Sequence, residues 1–183
     1  MWLSLRAGLF GLLFLLLSTF ARGAAVSETE LKAAYLFNFA KFVEWPLDAF
    51  ESETAPIQIG IFGDEDFATR LRVLLSDKKA HGRSFEVKRI SSPQEAKTCQ
   101  IAFISSSETK RAPQILEAVR KSPVLTIGES EQFLELGGMI GFVFEDAQLR
   151  FEIYPDAAEK VKIIISSKLL RLAKRVKKGA KIE

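Results

Sequence analysis

The chain has 183 residues, of which 48% are hydrophobic and 27% are charged, and its formal net charge is +3 at pH 7. This composition is typical of a folded protein and excludes an intrinsically disordered chain. The excess positive charge lies in the first residues and in the basic segment 168–183, so the rest of the chain gives no reason to expect nucleic-acid binding.

Residues 1–25 have the pattern of a secretory signal peptide. Arg6 precedes an apolar run over residues 9–17, and small residues follow around Gly23 and Ala25. Cleavage after either of these two residues fits the small-residue rule. The alternative is an uncleaved membrane anchor, but the run is shorter than the ~20 apolar residues that a membrane span requires. We therefore expect an exported protein.

The remaining residues, 26–183, are expected to form a single α/β domain that opens with a helix. Ser27 to Glu30 has the pattern of a capping box, in which serine and glutamate satisfy each other's backbone amides. Apolar residues at helical spacing then run from Leu31 to Val43. Pro46 is expected to end this helix.

An alternation of strands and helices follows the first helix. Strands are predicted at residues 57–62, 85–90, 101–104 and 124–127, and helices after Asp64 or Asp66, after Ser92, and from about 109 to 121. Because the strands are largely apolar, they predict a mainly parallel central sheet flanked by helices on both faces.

The pattern changes after Gly138. Residues 139–144 and 149–153 predict an antiparallel hairpin at one edge of the sheet, with its turn at 145–148. After a short helical turn at Pro155, the fold ends in a C-terminal helix. Ser166 or Ser167 would cap this helix, its apolar face would run from Leu169 to Val176, and its cations would lie in its last turns. We expect a solvated, basic helix end, with contact to anionic lipid headgroups as the alternative.

Signals for catalysis and for metal binding are weak. His81 is the only histidine and lies in a polar turn, so a histidine metal cluster cannot form. The serine-hydrolase elbow Gly-x-Ser-x-Gly does not occur. The acid pairs Asp64/Asp66 and Glu145/Asp146 suit a helix cap and a turn. We expect no catalytic residue, no metal and no cofactor, and an exported hydrolase is only a distant alternative.

Polar residues follow several predicted strands where the strands end. Asp64 follows the first strand of the sheet, Ser105 and Ser106 follow the third, and Gly128 and Glu129 follow the fourth. The carboxyl ends of parallel strands meet at one edge of a sheet, where small ligands bind. These residues are therefore a candidate pocket for a small polar solute. The alternative is that they are ordinary helix caps and turns.

Several segments resemble the YfiR-like family of small periplasmic proteins. They are YLFNFAKFVEWP (35–46), LTIG (125–128), GGMIGF (137–142), LRFEI (149–153) and SSKLLRLA (166–173). The resemblance implies a single periplasmic α/β domain without catalysis. It also implies that the chain binds and represses an inner-membrane diguanylate cyclase through the cyclase's periplasmic region. Cyclic-di-GMP, exopolysaccharide production and biofilm formation would then fall.

Partner-binding candidates come from two segments of this resemblance. Phe42, Trp45 and Pro46 end the first helix and have the residue types of interface anchors, with core packing as the alternative. Arg150 and Glu152 alternate with apolar residues and are expected on an exposed sheet face, where they bind a partner or are simply solvated. A solute-binding module that serves a transporter or receptor is the alternative function, and a homodimer is left open.

Cys99 marks a departure from the family pattern. It is the only cysteine, so it cannot form the intramolecular disulfides with which some family members respond to redox state. We expect it to be a small core residue, with an intermolecular bridge as the alternative.

Overall fold

The computed structural model describes residues 27–179. The predicted signal peptide and its cleavage sites therefore lie outside the described residues. The helices are α1 (Glu28–Phe42), α2 (Glu65–Leu74), α3 (Pro93–Ala96), α4 (Ala112–Val119), α5 (Pro155–Glu159) and α6 (Ser167–Leu172). The strands are β1 (Val43–Glu44), β2 (Ile57–Phe62), β3 (Phe85–Arg89), β4 (Ile101–Ile104), β5 (Leu125–Gly128), β6 (Ile140–Glu145), β7 (Gln148–Ile153), β8 (Ile164–Ile165) and β9 (Arg175–Val176).

A sheet of seven strands, in the order β3-β2-β4-β5-β6-β7-β9, forms the centre of the fold. Neighbouring strands are parallel except β6 and β7, which form an antiparallel hairpin. All four residues of β4 and of β5 are buried. Such burial requires cover on both faces, which is why these strands are apolar throughout. The predicted mainly parallel sheet is confirmed.

The two faces of this sheet carry separate hydrophobic clusters. One cluster joins Phe39 of α1 and Leu71 of α2 to inward residues of the strands, such as Phe103. The other joins Ile115 of α4 to residues such as Phe62 on the opposite face. Helices therefore cover both faces, as the sequence predicts.

The start of α1 follows the predicted capping box. The Glu30 amide donates to Ser27 Oγ at 3.2 Å, and the Ser27 amide donates to Glu30 Oε2 at 3.0 Å. At the other end, Val43 is already extended, three residues before Pro46. Val43 and Glu44 then pair with Ile165 and Ile164 in a short antiparallel ribbon, which the sequence did not predict.

The C-terminal helix is shorter than predicted. It ends at Leu172, and Ala173 is extended, because the backbone turns to pair with β7. The Lys174 amide donates to the Phe151 carbonyl at 2.8 Å, and the Lys177 amide donates to the Ile153 carbonyl at 2.7 Å. The hairpin of β6 and β7 is therefore not at the sheet edge, since β9 lies outside it.

The cations of the basic segment are not grouped at a solvated helix end. Three of them form ion pairs with carboxylates of the domain: Lys174 with Glu145 at 2.8 Å, Arg175 with Glu152 at 2.5 Å, and Lys177 with Glu135 at 2.6 Å. The prediction of a basic helix end is wrong for these residues. Their pairing ties the last strand to the sheet.

Candidate functional site

Two of the predicted polar loops meet at the carboxyl edge of the sheet. The Ser106 amide, after β4, donates to Glu129 Oε2, after β5, at 2.8 Å. Ser105 is buried, and its hydroxyl lies 2.8 Å from the Ser107 hydroxyl, which donates to the Gly63 carbonyl at 3.0 Å. The structure thus brings Ser106 and Glu129 together, and Ser105 lies buried beside them without lining the cleft; their role in holding a solute stays a prediction.

Lys32 of α1, which was not among the residues predicted for the pocket, completes this cluster. Its ammonium pairs with Glu129 and, at 2.5 Å, with Glu28 one helical turn earlier. The Glu28–Lys32 spacing of four residues was the available signal. Burial lowers the pKa of Lys32, but its hydrogen bonds to Glu129 and Glu28 outweigh burial and raise that pKa overall. The ammonium is thus held charged, and the polar groups of this cluster bond to one another.

Asp64 and Gly128 have structural roles at this edge. The Phe67 amide donates to Asp64 Oδ1 at 2.8 Å, so Asp64 is the cap of α2. A Cβ at Gly128 would lie 2.3 Å from the ring of Phe133, so the missing side chain lets that ring pack against the strand. Neither residue lines the cleft beside Glu129.

An open cleft of about 390 Å³ lies beside the Lys32–Glu129 pair. A second depression of about 540 Å³ adjoins it and shares Glu28, Phe144 and Leu149. We call the two together the hairpin groove. Its lining residues are Glu28, Leu31, Lys32, Tyr35, Ser106, Glu129, Glu131, Phe142, Val143, Phe144, Ala147, Gln148 and Leu149.

Aromatic side chains lie between α1 and the hairpin along the hairpin groove. Phe142 is buried beneath α1, with its ring centroid 5.7 Å from Tyr35 and 5.9 Å from Phe39. The Tyr35 hydroxyl donates to the Leu149 carbonyl at 3.1 Å. Phe144, two residues further along β6, is 60% exposed. The groove therefore has packed aromatic rings next to α1 and an uncovered aromatic side chain near the hairpin turn.

The aromatic partner candidates at the end of α1 make internal contacts. Trp45 Nε1 donates to the Gln100 carbonyl at 3.1 Å, and its ring packs edge-on against Phe50. Phe42 and Pro46 are half-buried, and the Lys168 ammonium lies 5.2 Å from the Phe42 ring centroid. These contacts give Trp45 and Phe42 a place in the packing of the fold. Their role in partner binding stays a prediction.

The strand candidates differ from each other. Arg150 is exposed, as expected, and donates to Gln148 Oε1 at 3.0 Å. Glu152 is buried, with 9% of its surface exposed, because β9 covers this part of β7 and Arg175 pairs with its carboxylate. The expectation that Glu152 lies on an exposed face is therefore wrong.

His81 and Cys99 lie away from the hairpin groove. His81 is exposed in a turn, as predicted, and its Nε2 lies 2.9 Å from the Ala40 carbonyl near the end of α1. Cys99 belongs to the cluster on the α4 face, so the prediction of a core cysteine is confirmed. Burial raises the pKa of its thiol. Within the described range, no group of three or more His, Cys, Asp or Glu side chains could hold a metal ion.

The comparison with family models identifies the chain. The YfiR/HmsC-like model matches residues 29–174, which include all of α1 except its first residue, the sheet through β7, and α6. The chain belongs to the YfiR/HmsC-like family. Members of this family are known as periplasmic regulators of cyclic-di-GMP signalling. No helix within residues 27–179 is both long and apolar enough to cross a membrane.

A solved structure shows a related fold at low identity. A crystal structure of a conserved domain protein from Vibrio cholerae O1 biovar El Tor str. N16961 is 14% identical, with a TM-score of 0.55, and the match covers 82% of this chain and 60% of that one. An ABC domain in complex with L-Trp from Streptococcus pneumonia is 12% identical, with a TM-score of 0.49 and coverage of 66% and 55%. The chain thus spans less than two thirds of either protein. The first likeness supports the α/β fold alone.

Proposed function

We propose that this YfiR/HmsC-like protein binds the periplasmic region of an inner-membrane diguanylate cyclase and represses it. Lower cyclase output would reduce cyclic-di-GMP and biofilm formation. The family match over residues 29–174 is the observation that carries this proposal. The protein would act by contact, without chemistry of its own.

The geometry of the carboxyl edge supports binding to a protein over capture of a small solute. The polar groups expected to hold a solute are engaged with each other, since Glu129 accepts from the Ser106 amide and pairs with Lys32. A solute would have to displace these bonds, which costs free energy. At this edge the Phe144 side chain is exposed to solvent, and protein interfaces use aromatic side chains of this kind as anchors. The solute-binding alternative therefore has less support.

The experiment is a measurement of intracellular cyclic-di-GMP in four strains: the parent, a deletion strain, the deletion strain complemented with the full chain, and the deletion strain complemented with a chain lacking residues 1–25. We expect a rise on deletion that only the full chain reverses, because repression requires export. An unchanged level on deletion would contradict the regulator. Equal rescue by the leaderless chain would contradict action from the periplasm.

A further inference from the structure

The face of the β6–β7 hairpin is only partly covered by α1. Phe142 is opposite Phe151, and Phe144 is opposite Leu149, and residues directly opposite each other lie on the same face. Tyr35 and Phe39 cover the first pair, with ring centroids 5.3 Å and 5.0 Å from Phe151.

The second pair lies nearer the hairpin turn, where Phe144 remains 60% exposed. Phe144 is contiguous with the groove lining contributed by Leu31, Tyr35 and Leu149, and a contiguous exposed apolar surface is a feature of binding sites.

Carboxylates outnumber cations around this uncovered face. Glu28, Glu129 and Glu131 line the hairpin groove, Glu145 ends β6 beside it, and Asp146 lies in the adjoining turn. Among residues 27–179, three cations are close enough to neutralise part of this charge. Lys32 pairs with Glu28 and Glu129, Lys174 pairs with Glu145, and Arg150 donates to Gln148 in the lining of the groove. Glu131 and Asp146 have no ion-pair partner within residues 27–179. The rim of the groove is therefore negative.

The wall of the groove is fixed before anything binds. Lys32 joins α1 to the loop after β5 through Glu129, and the Ser106 amide joins the loop after β4 to the same carboxylate. A surface that is ordered in advance loses less entropy on binding.

We propose that the hairpin groove is the docking surface for the protein partner, and that the docking segment is cationic with an apolar side chain seated against Phe144 and Leu149. This proposal rests on the proposed function for the identity of the partner as a membrane protein, but not for the chemistry of its docking segment. Cations on the segment would pair with Glu131 and Asp146 at the rim.

Other occupants fit the groove less well. In a symmetric dimer through this face, the acidic rim of one copy would meet the same acidic rim of the other, and like charges at an interface are costly. An anionic lipid surface would be repelled for the same reason. The apolar centre and the acidic rim together favour a basic segment of another protein.

The test is photo-crosslinking in living cells with the full chain. A benzoylphenylalanine residue replaces Phe144 in one variant and Val73 in the control variant. Val73 lies on α2 and is also exposed, at 70%, but it does not line the groove. Mass spectrometry identifies the captured segment. We expect position 144, and not position 73, to capture a segment of a membrane protein that carries net positive charge.

A charge-reversal series adds a second readout to the same assay. Glu131→Lys with Asp146→Lys should lower the yield of the position-144 adduct at least about tenfold, because the rim becomes positive. Glu51→Lys with Glu53→Lys makes the same change in charge in an exposed linker and should leave the yield unchanged. An equal loss of adduct in the two double variants would show that the charge of the rim does not attract the docking segment. Three results would overturn the docking surface: position 144 captures only a second copy of the chain, it captures an acidic segment, or position 73 captures the same segment with equal yield.

Complementation separates this proposal from the proposed function. Phe144→Asp should fail to restore a low cyclic-di-GMP level in the deletion strain, and Val73→Asp should restore it. Full rescue by Phe144→Asp would overturn the docking surface while leaving the regulator intact. If deletion itself leaves cyclic-di-GMP unchanged, the regulator fails. Capture of a cationic segment from position 144 would then still support the docking surface.

Discussion

Replacing Lys32 with Met removes the ammonium that holds the wall of the hairpin groove but keeps an unbranched side chain of similar length. Lys32 and Glu129 are largely withdrawn from water, with 16% and 12% of their side chains exposed. The change therefore leaves the Glu129 carboxylate without its counter-charge in a poorly hydrated place. We expect a loss of folding stability.

The size of this loss follows from the exposure of the pair. Removing one partner from a fully buried ion pair costs about 3–5 kcal/mol, whereas a fully exposed pair contributes at most about 1 kcal/mol. The Ser106 amide still donates to Glu129, and Glu28 is 52% exposed and can turn to water. We therefore expect Lys32→Met to lower the free energy of unfolding by about 2 kcal/mol.

Urea denaturation followed by circular dichroism measures this loss. The matched control is Lys78→Met, whose pair with Asp77 has side chains 44% and 73% exposed and should contribute little measurable stability because water screens it. A double-mutant cycle with Glu129→Gln should give a coupling energy of at least about 1 kcal/mol. A Lys32→Met variant no less stable than Lys78→Met would refute the reasoning.

The pH dependence of the same variant gives a further check. The pKa of Lys32 is raised in the folded state, so its contribution is complete below the unfolded value near 10.5 and is lost as pH rises through the folded value. The difference between wild type and Lys32→Met should therefore hold steady between about pH 7 and pH 9 and shrink at higher pH. A difference that grows above pH 10.5 would contradict the assignment.

Three other predictions concern single positions. Ala147 has a φ of +58°, so Ala147→Gly should raise the free energy of unfolding by about 0.5–1 kcal/mol, and a loss in urea denaturation would contradict this. Gly128→Ala should lower the free energy of unfolding by about 2–3 kcal/mol, because the new Cβ would clash with the Phe133 ring. Gly141→Ala is the control and should change the stability little, because its Cβ would lie 3.6 Å from the nearest side-chain atom. Equal melting temperatures of the two variants would contradict the clash. The hydroxyl and amides at the start of α3 lower the pKa of Glu95 to about 2, so its stabilising effect is present above the unfolded value of 4.5 and is lost toward pH 2. An NMR titration of its carboxyl checks this, and a midpoint near 4.5 would refute it.

Local sequence patterns account for most of the central sheet and for the caps. Residues 101–104 are apolar and all buried, because β4 lies inside a sheet that helices cover on both faces. The capping boxes at Ser27 and Ser92 act within four residues and need no information from elsewhere in the chain. Features of this kind can be predicted from the sequence because neighbouring residues determine them.

The helix predicted over the last residues extends too far, because the structure of this segment depends on a strand that is distant in sequence. Residues Leu169 to Val176 fit a helix by spacing, but the backbone after Leu172 bonds to the free edge of β7 instead. That edge is about twenty residues away in sequence, and its need for a partner follows from the sheet as a whole. The pairing of β9 with β7 also buries Glu152 and places its carboxylate beside the Arg175 guanidinium.

The candidate site was predicted in part for a similar reason. The rule that parallel strands end at one edge brought Ser106 and Glu129 together correctly. Lys32 was missed because its contact with Glu129 depends on how α1 lies across the sheet. Strand alternation places Phe144 on the α1 face, but only the register of the hairpin against α1 leaves it uncovered.

The measurement that tests the central claim most directly is cyclase activity in detergent-permeabilised membranes from the deletion strain. The conversion of GTP to cyclic-di-GMP is followed as the purified protein is added, with a parallel sample in which added cyclic-di-GMP is monitored for breakdown. The proposed function predicts a saturable fall in synthesis, no breakdown, and a weaker effect of Phe144→Asp. An unchanged rate of synthesis at the highest protein concentration would contradict the claim that this protein represses a membrane cyclase by binding it.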